Sequence, residues 1–201
     1  MAELHRLFSN LPQVKDARER FLLELEEQLD QDVFLPGLGS VVLKHCPAFR
    51  RIYVPYVTNQ MYQEQLMQQL MRESSRFLQV LRRLEQQPVC QRQPLKSFLV
   101  PPFQRVIRLK ILLENILRFA PADSELAVSV RAAHQAVGEV VHQCNENIRL
   151  MKQTEELVML EKLMDFAKVK PLPLISRGRW LVREGELCQV LVQEASLSHR
   201  H

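Results

Sequence analysis

An all-α bundle is the fold class this sequence predicts. Apolar residues recur at three- and four-residue steps through most of the chain, glycine occurs only five times in 201 residues, and no alternating apolar/polar run appears before Arg179. With 46% hydrophobic and 25% charged residues the chain reads as globular, long enough to bury its own core in one domain. The glycines at 37, 39, 138, 178 and 185 form no phosphate-cradling turn, which excludes P-loop and Rossmann nucleotide sites.

The first helix lies between Leu11 and Leu29, on a stripe of Val14, Ala17, Phe21, Leu25 and Leu29. Pro36, Gly37 and Gly39 then break the chain, Ser40 opens a short helix from Val41 to His45, and Pro47 restarts a long amphipathic stretch through Tyr53, Val57, Tyr62, Leu66 and Leu70, kinked at Pro55. Ser74 caps a helix over 76–86 whose buried side is Phe77, Val80, Leu81 and Leu84. Pro88 to Pro94 is an irregular link, Leu95 to Val100 a separate turn, and a strong apolar helix begins near Pro102 and runs to Arg118.

Ser124 caps the longest pattern, Glu125 to Leu163, which as one rod spans 39 residues. At about 1.5 Å per residue that is roughly 58 Å, so an elongated bundle is expected. Beyond the stops at Pro171 and Pro173, Arg179 to Val192 reads as a strand pair turning near Glu184 and Gly185, the edge of a second domain, and 194–201 as a disordered tail.

Chemistry-bearing motifs are few. The four cysteines contain no Cys-x-x-Cys pair and read as reduced thiols packed like small hydrophobes in a cytoplasmic chain without a signal peptide or membrane span. His134 and His142 share a helical face without a third ligand nearby, and no Gly-x-Ser-x-Gly occurs. No covalent catalysis, metal or cofactor is expected.

Charge is uneven. Met1 to Asp30 carries four basic and seven acidic residues, whereas Lys96 to Arg118 carries five basic and one acidic. A second basic run comprises Lys168, Lys170, Arg177, Arg179 and Arg183. A formal net charge of +4 is modest for nucleic acid and fits an acidic protein partner, or for the second run an anionic membrane surface or a merely solvated linker.

Three stretches then carry a resemblance: Phe49 to Asn59 (FRRIYVPYVTN), Leu95 to Leu117 (LKSFLVPPFQRVIRLKILLENIL) and Pro173 to Leu187 (PLISRGRWLVREGEL). They resemble the Dbl-homology domain of Rho guanine-nucleotide exchange factors, with Pro88 to Arg92 (PVCQR) and Leu95 to Leu99 (LKSFL) most similar to the ephexin subfamily. The resemblance runs from about Leu7 to Val190. It implies a helical domain over residues 1–170, a linker and the first strands of an incomplete pleckstrin-homology domain over 171–193, and the tail.

By the same resemblance the chain binds the switch regions of a Rho-family small GTPase of the RhoA type and expels nucleotide and magnesium, without covalent chemistry of its own. Arg108 occupies the place of the family's basic contact in its third conserved region, and Asn145 that of the asparagine in its last long helix. Lys110 and Glu114 lie where relatives touch the GTPase, and Arg149, one turn beyond Asn145, supports the same surface or simply faces solvent. Two departures stand out. Pro101 replaces a usual leucine, and the first conserved region, a helix whose glutamate contacts switch I, would precede Met1; the chain as given is expected to exchange nucleotide more slowly than a relative carrying it.

On a helical wheel, Leu109, Leu112, Leu113 and Ile116 make the core face of the 102–118 helix, and Lys110, Glu114, Arg118, Asn115 and Arg108 the opposite arc. Ile107 and Ile111 interrupt that arc. They read as the apolar centre of a partner-binding patch or, the preferred reading, as core on a helix buried from two sides. Asn145 and Asn147 are poor mid-helix formers, so each calls for either a contact or a solvent-facing position.

Overall fold

The computed structural model describes residues 2–165, 170, 172–176 and 178–185. The chain divides into two compact units, Met1–Met151 and Lys152–His201. The elements are α1 (Ala2–Phe8), α2 (Leu11–Gln31), α3 (Leu38–Glu73), α4 (Ser75–Glu85), a 3-10 turn at Pro88–Cys90, α5 (Lys96–Leu99), α6 (Pro101–Phe119) and α7 (Glu125–Leu163). The described residues contain no strand, so the class is all-α; residues 178–185 do not form the expected first strand, and 186–201 lie outside the described residues.

The helix starts follow local chemistry. The Ser74 hydroxyl accepts a hydrogen bond from the Phe77 N–H at 3.2 Å and the Ser124 hydroxyl one from the Ala127 N–H at 3.1 Å, each satisfying a donor that the first turn leaves open. Pro101 and Pro102 open α6, where a missing N–H costs nothing, and the preceding turn is the separate α5. After the 3-10 turn, Gln91 and Arg92 both adopt left-handed φ values of 49° and 59°, and the chain returns so that the Leu95 N–H donates to the Glu85 carboxylate at 2.8 Å.

The chain breaks before Leu38, at Pro36 and Gly37, as expected, but not at Gly39 or Pro47, because α3 runs unbroken from Leu38 through both Pro47 and Pro55. Gly37 is its N-cap, while Gly39 lies inside the helix for a different reason: a β-carbon there would stand 2.4 Å from the Ser129 carbonyl carbon of α7. Glycine here permits backbone-to-backbone approach between α3 and α7, not a turn.

The core joins α2, α3, α6 and α7 through Val14, Val42, Phe49, Tyr53, Val106, Leu113, Val130 and Val137. A row of edge-to-face rings, Phe21 to Phe49 at 5.3 Å and Phe49 to Tyr53 at 5.8 Å, stitches α2 to α3. Glu24 of α2 accepts from both Lys44 and His45 of α3 at 2.8 Å, bonds that hold its carboxyl below the usual range. The short α1 was not legible as a helix; it is strapped to α3 because Asn59 donates to the Arg6 carbonyl at 2.8 Å and Gln63 to the Leu7 carbonyl. Cys46 and Cys144 are buried, as expected of packed thiols, and burial pushes each up to about 11; Cys90 is half-buried and Cys188 lies outside the described residues.

Five side chains expected to be buried are exposed. Leu112, assigned to the core face, is 58% exposed, and Ile111, preferred as core, is 50% exposed. Leu29 is exposed near the end of α2, and on α4 only Leu81 is buried, Val80 and Leu84 being 40% and 44% exposed. Periodicity gives angles around a helix; it does not say how many neighbours cover that arc.

Candidate functional site

The buried side of α6 is set by Pro102, Val106 and Leu113, with Phe103, Leu109, Ile116 and Leu117 packed against the same core. The remaining arc faces outward, and its middle is held by Ile111, Glu114, Asn115 and Arg118, all exposed. Arg108 and Lys110 form the two edges of this arc, since two residues turn an α-helix by about 200°. They therefore lean in different directions.

Arg108 leans toward α2. It lines an apolar groove of about 680 Å³ between α2 and α6, whose wall includes the exposed Leu22 and Leu112. Arg18 and Arg105 line the same groove; burial, and then the positive charge of Arg105, hold the Arg18 guanidinium below its usual value. Neither Arg105 nor Arg108 has an ion-pair partner among the described residues. Arg18 and Arg105 were not singled out from the sequence, although Arg105 belongs to the Pro-Phe-Gln-Arg motif.

Lys110 leans toward α7 and crosses it at Gly138, where its Cε lies 3.6 Å from the position of a β-carbon. Seven residues farther along α7, and so on the same face about 10 Å away, comes Asn145, followed one turn later by Arg149. Asn145 is exposed. Asn147 is instead half-buried and donates back to the Gln143 carbonyl at 2.9 Å, which accounts for its place in mid-helix. Arg149 is engaged with Glu146, its Nε donating at 2.8 Å and its Nη2 to the second oxygen, so the Glu146 carboxyl is held low and the guanidinium high. Glu114 is paired loosely with Arg118 at 3.4 Å.

Lys110, Asn145 and Arg149 thus share a strip on α7's outer face, Ile111 and Glu114 continue it across α6, and Arg108 stands at the far edge beside the α2 groove. An exposed isoleucine ringed by charged and amide groups has the make-up of a protein-binding patch, an apolar centre with a polar rim. Among the described residues no group of three or more His, Cys, Asp or Glu is arranged to hold a metal ion. No described helix is long and apolar enough to cross a membrane.

Comparison with known proteins shows the family of the domain. A family model described as the RhoGEF domain matches residues 1–145. Mouse Rho guanine nucleotide exchange factor 5 is 48% identical over 182 residues, covering 90% of this chain and 11% of that protein, and human ephexin-1 is 40% identical over 189 residues, covering 94% and 26%. The chain therefore spans a small part of its curated relatives. Among solved structures, the DH/PH domain of human ARHGEF11, in a ternary complex with human RhoA and its inhibitor, matches with a TM-score of 0.77 at 19% identity over 83% of this chain and 48% of that one. The DH domain of FARP2 matches with a TM-score of 0.64 at 20% identity, over 82% of this chain and 80% of that one. On the match of the domain family to residues 1–145 and the identity to exchange factors across nine-tenths of its length, the chain belongs to the RhoGEF, or Dbl-homology, domain family.

Proposed function

We propose that this chain binds the switch regions of a Rho-family GTPase of the RhoA type and promotes GDP release, using Arg108, Lys110, Glu114, Asn145 and Arg149 as contacts. The observation that carries the reading is the outward strip itself: Asn145 exposed on α7, Lys110 laid over Gly138 toward it, and Arg108 exposed without an acidic partner among the described residues. The ARHGEF11 fragment, similar in fold, is named in a complex with RhoA, which supports the choice of partner.

The mechanism is differential affinity. A surface that binds the nucleotide-free GTPase more tightly than the loaded one weakens nucleotide affinity by the same factor, because the two equilibria are linked. No group on this surface needs to form or break a covalent bond. Arg108 and Lys110 offer basic side chains to an acidic switch region, and Ile111 offers apolar area between them. Residues 1–170 form the exchange domain in this reading and 171–193 a linker; Lys170, Arg179 and Arg183, with the exposed Trp180, suit an anionic membrane surface for a cytoplasmic protein at the membrane periphery.

Release of a fluorescent GDP analogue from purified RhoA, with and without the chain, tests the proposal. Faster release is expected. Tight binding to nucleotide-free RhoA with no acceleration would instead mean a docking module without exchange activity.

A further inference from the structure

The walls of the groove between α2 and α6 have a regular spacing. Along α2 the groove is lined by Leu11, Lys15, Arg18, Leu22 and Leu25, and along α6 by Pro102, Arg105, Leu109 and Leu112, so each wall advances in alternating steps of three and four residues. Two such seams side by side leave the holes into which a third helix lays its own ridge of side chains. The α2 seam runs about 21 Å, the length of a helix of about 15 residues.

Three hydrogen-bond donors interrupt this apolar lining. Tyr53 lines the groove and is only 2% exposed, yet its hydroxyl makes no hydrogen bond among the described residues, whereas Tyr56 donates to the Leu99 carbonyl at 2.6 Å and Tyr62 to the Met151 sulfur at 3.4 Å. Among the described residues only the His134 Nε2 atom is both sealed from solvent and without a partner, so the unpartnered Tyr53 hydroxyl opens into the groove. Burial pushes this phenol up to about 12, and the charges of Arg18 and Arg105 act against that rise, which sets both guanidiniums near it. Neither arginine has an ion-pair partner among the described residues, and Glu19, the one carboxylate lining the groove, is taken by Lys15 at 3.3 Å.

We infer that the α2/α6 groove is the docking site for an amphipathic helix of a partner protein, and that Arg18, Arg105 and the Tyr53 hydroxyl receive a carboxylate carried on the apolar face of that helix. A wholly apolar helix would strip water from two guanidiniums and a phenol and give them no acceptor. One carboxylate supplies the acceptor, in charge-assisted bonds, and fixes the register of the helix as a lone polar position does in a coiled-coil seam. Arg108 also lines the groove, but the three receiving residues are not among the GTPase contacts proposed above, so the inference stands apart from that reading.

The test is fluorescence anisotropy on the whole 201-residue protein, with no GTPase present, using fluorescein-labelled peptides of about 18 residues that carry leucines at steps of three and four and either a glutamate or a leucine at the centre of the apolar face. The glutamate peptide is expected to bind saturably, about tenfold more tightly than the leucine peptide. Tyr53→Phe deletes an oxygen that holds nothing in the free chain, so it should leave the melting curve and the leucine peptide's affinity unchanged while weakening the glutamate peptide about threefold or more. On R18Q/R105Q the two peptides bind alike; should that variant fail to fold and bind neither, Tyr53→Phe decides alone. Absence of binding, a preference for the leucine peptide, or a glutamate preference that survives Tyr53→Phe overturns the inference. So does binding of oleate that depends on the same three residues without any peptide binding, which would make the groove a site for a small apolar acid.

Discussion

The Lys110 side chain lies across α7 at Gly138, its Cε 3.6 Å from where a β-carbon would stand, so the position of one proposed contact on α6 depends on a residue of α7 that has no side chain. That distance is ordinary van der Waals contact. Gly138→Ala is therefore expected to leave Lys110 in place and to stabilise α7 by about 0.5–1 kcal/mol, the usual gain for alanine over glycine inside a helix. A long side chain, as in Gly138→Met, must push the lysine arm away. Thermal melts should show the alanine variant slightly above the original protein, and affinity for nucleotide-free RhoA should fall for Gly138→Met by as much as for Lys110→Ala, but not for Gly138→Ala.

Gly39 presents the opposite case. Its absent β-carbon would meet the Ser129 carbonyl carbon at 2.4 Å and its oxygen at 2.6 Å, and backbone cannot swing aside. Gly39→Ala is expected to force α3 off α7 and cost about 1–3 kcal/mol, typical of overpacking. Gly37→Ala is the control: its β-carbon would come within 2.3 Å of the Gln28 Oε1 atom, the far end of a flexible side chain that can rotate away, so its melting temperature should stay near the original. Equal losses from both would mean the α3–α7 approach is not what fixes Gly39.

These two glycines also mark what could be read in advance. The caps at Ser74 and Ser124 and both ends of α7, Glu125 and Leu163, were legible because a capping hydroxyl followed by an unbroken apolar stripe is a local signal. The continuity of α3 was not, since Gly39 and Pro47 are locally helix breakers and their tolerance is decided by α7 and the core, far away in sequence. For the same reason α1, held by Asn59 and Gln63, left no signal of its own. Within the candidate site the sequence marked Arg108, Lys110, Glu114, Asn145 and Arg149 through the resemblance. It could not show that Arg108 would meet the α2 groove and Lys110 the backbone at Gly138, or that Arg149 is already engaged by Glu146.

The Glu24 clamp between α2 and α3 predicts an acid-dependent loss of stability. Its hydrogen bonds to Lys44, then His45, lower the folded-state carboxyl below its ordinary value of 4.5. A depressed carboxyl contributes stability that is present above the unfolded-state value and is lost as pH falls through the folded one. The difference in melting temperature between the original protein and Glu24→Gln should thus be largest near neutral pH and shrink below about 4.5. A difference that is constant with pH would assign the loss to packing, not to the ionised carboxylate.

Arg108 and Asn145 are both exposed, on two helices whose cores are built by other residues, and neither has a partner among the described residues that its replacement would strand. Arg108→Glu and Asn145→Ala should therefore leave the melting temperature nearly unchanged, as substitutions on a solvated arc do. If Arg108 meets a carboxylate of the GTPase and the pair is desolvated in the complex, reversing its charge costs about 2 kcal/mol or more, roughly thirtyfold in affinity. Asn145→Ala removes a hydrogen bond without creating repulsion and should cost less, about 0.5–1.5 kcal/mol. Affinity for nucleotide-free RhoA and the rate of GDP release should fall together in both variants, because release is driven by that affinity. Arg149→Ala adds a check on the same strip: if Arg149 is a contact, binding weakens while the melting temperature stays near the original. Variants that bind RhoA as the original protein does, with melting curves intact, would move the GTPase surface off the α6/α7 strip.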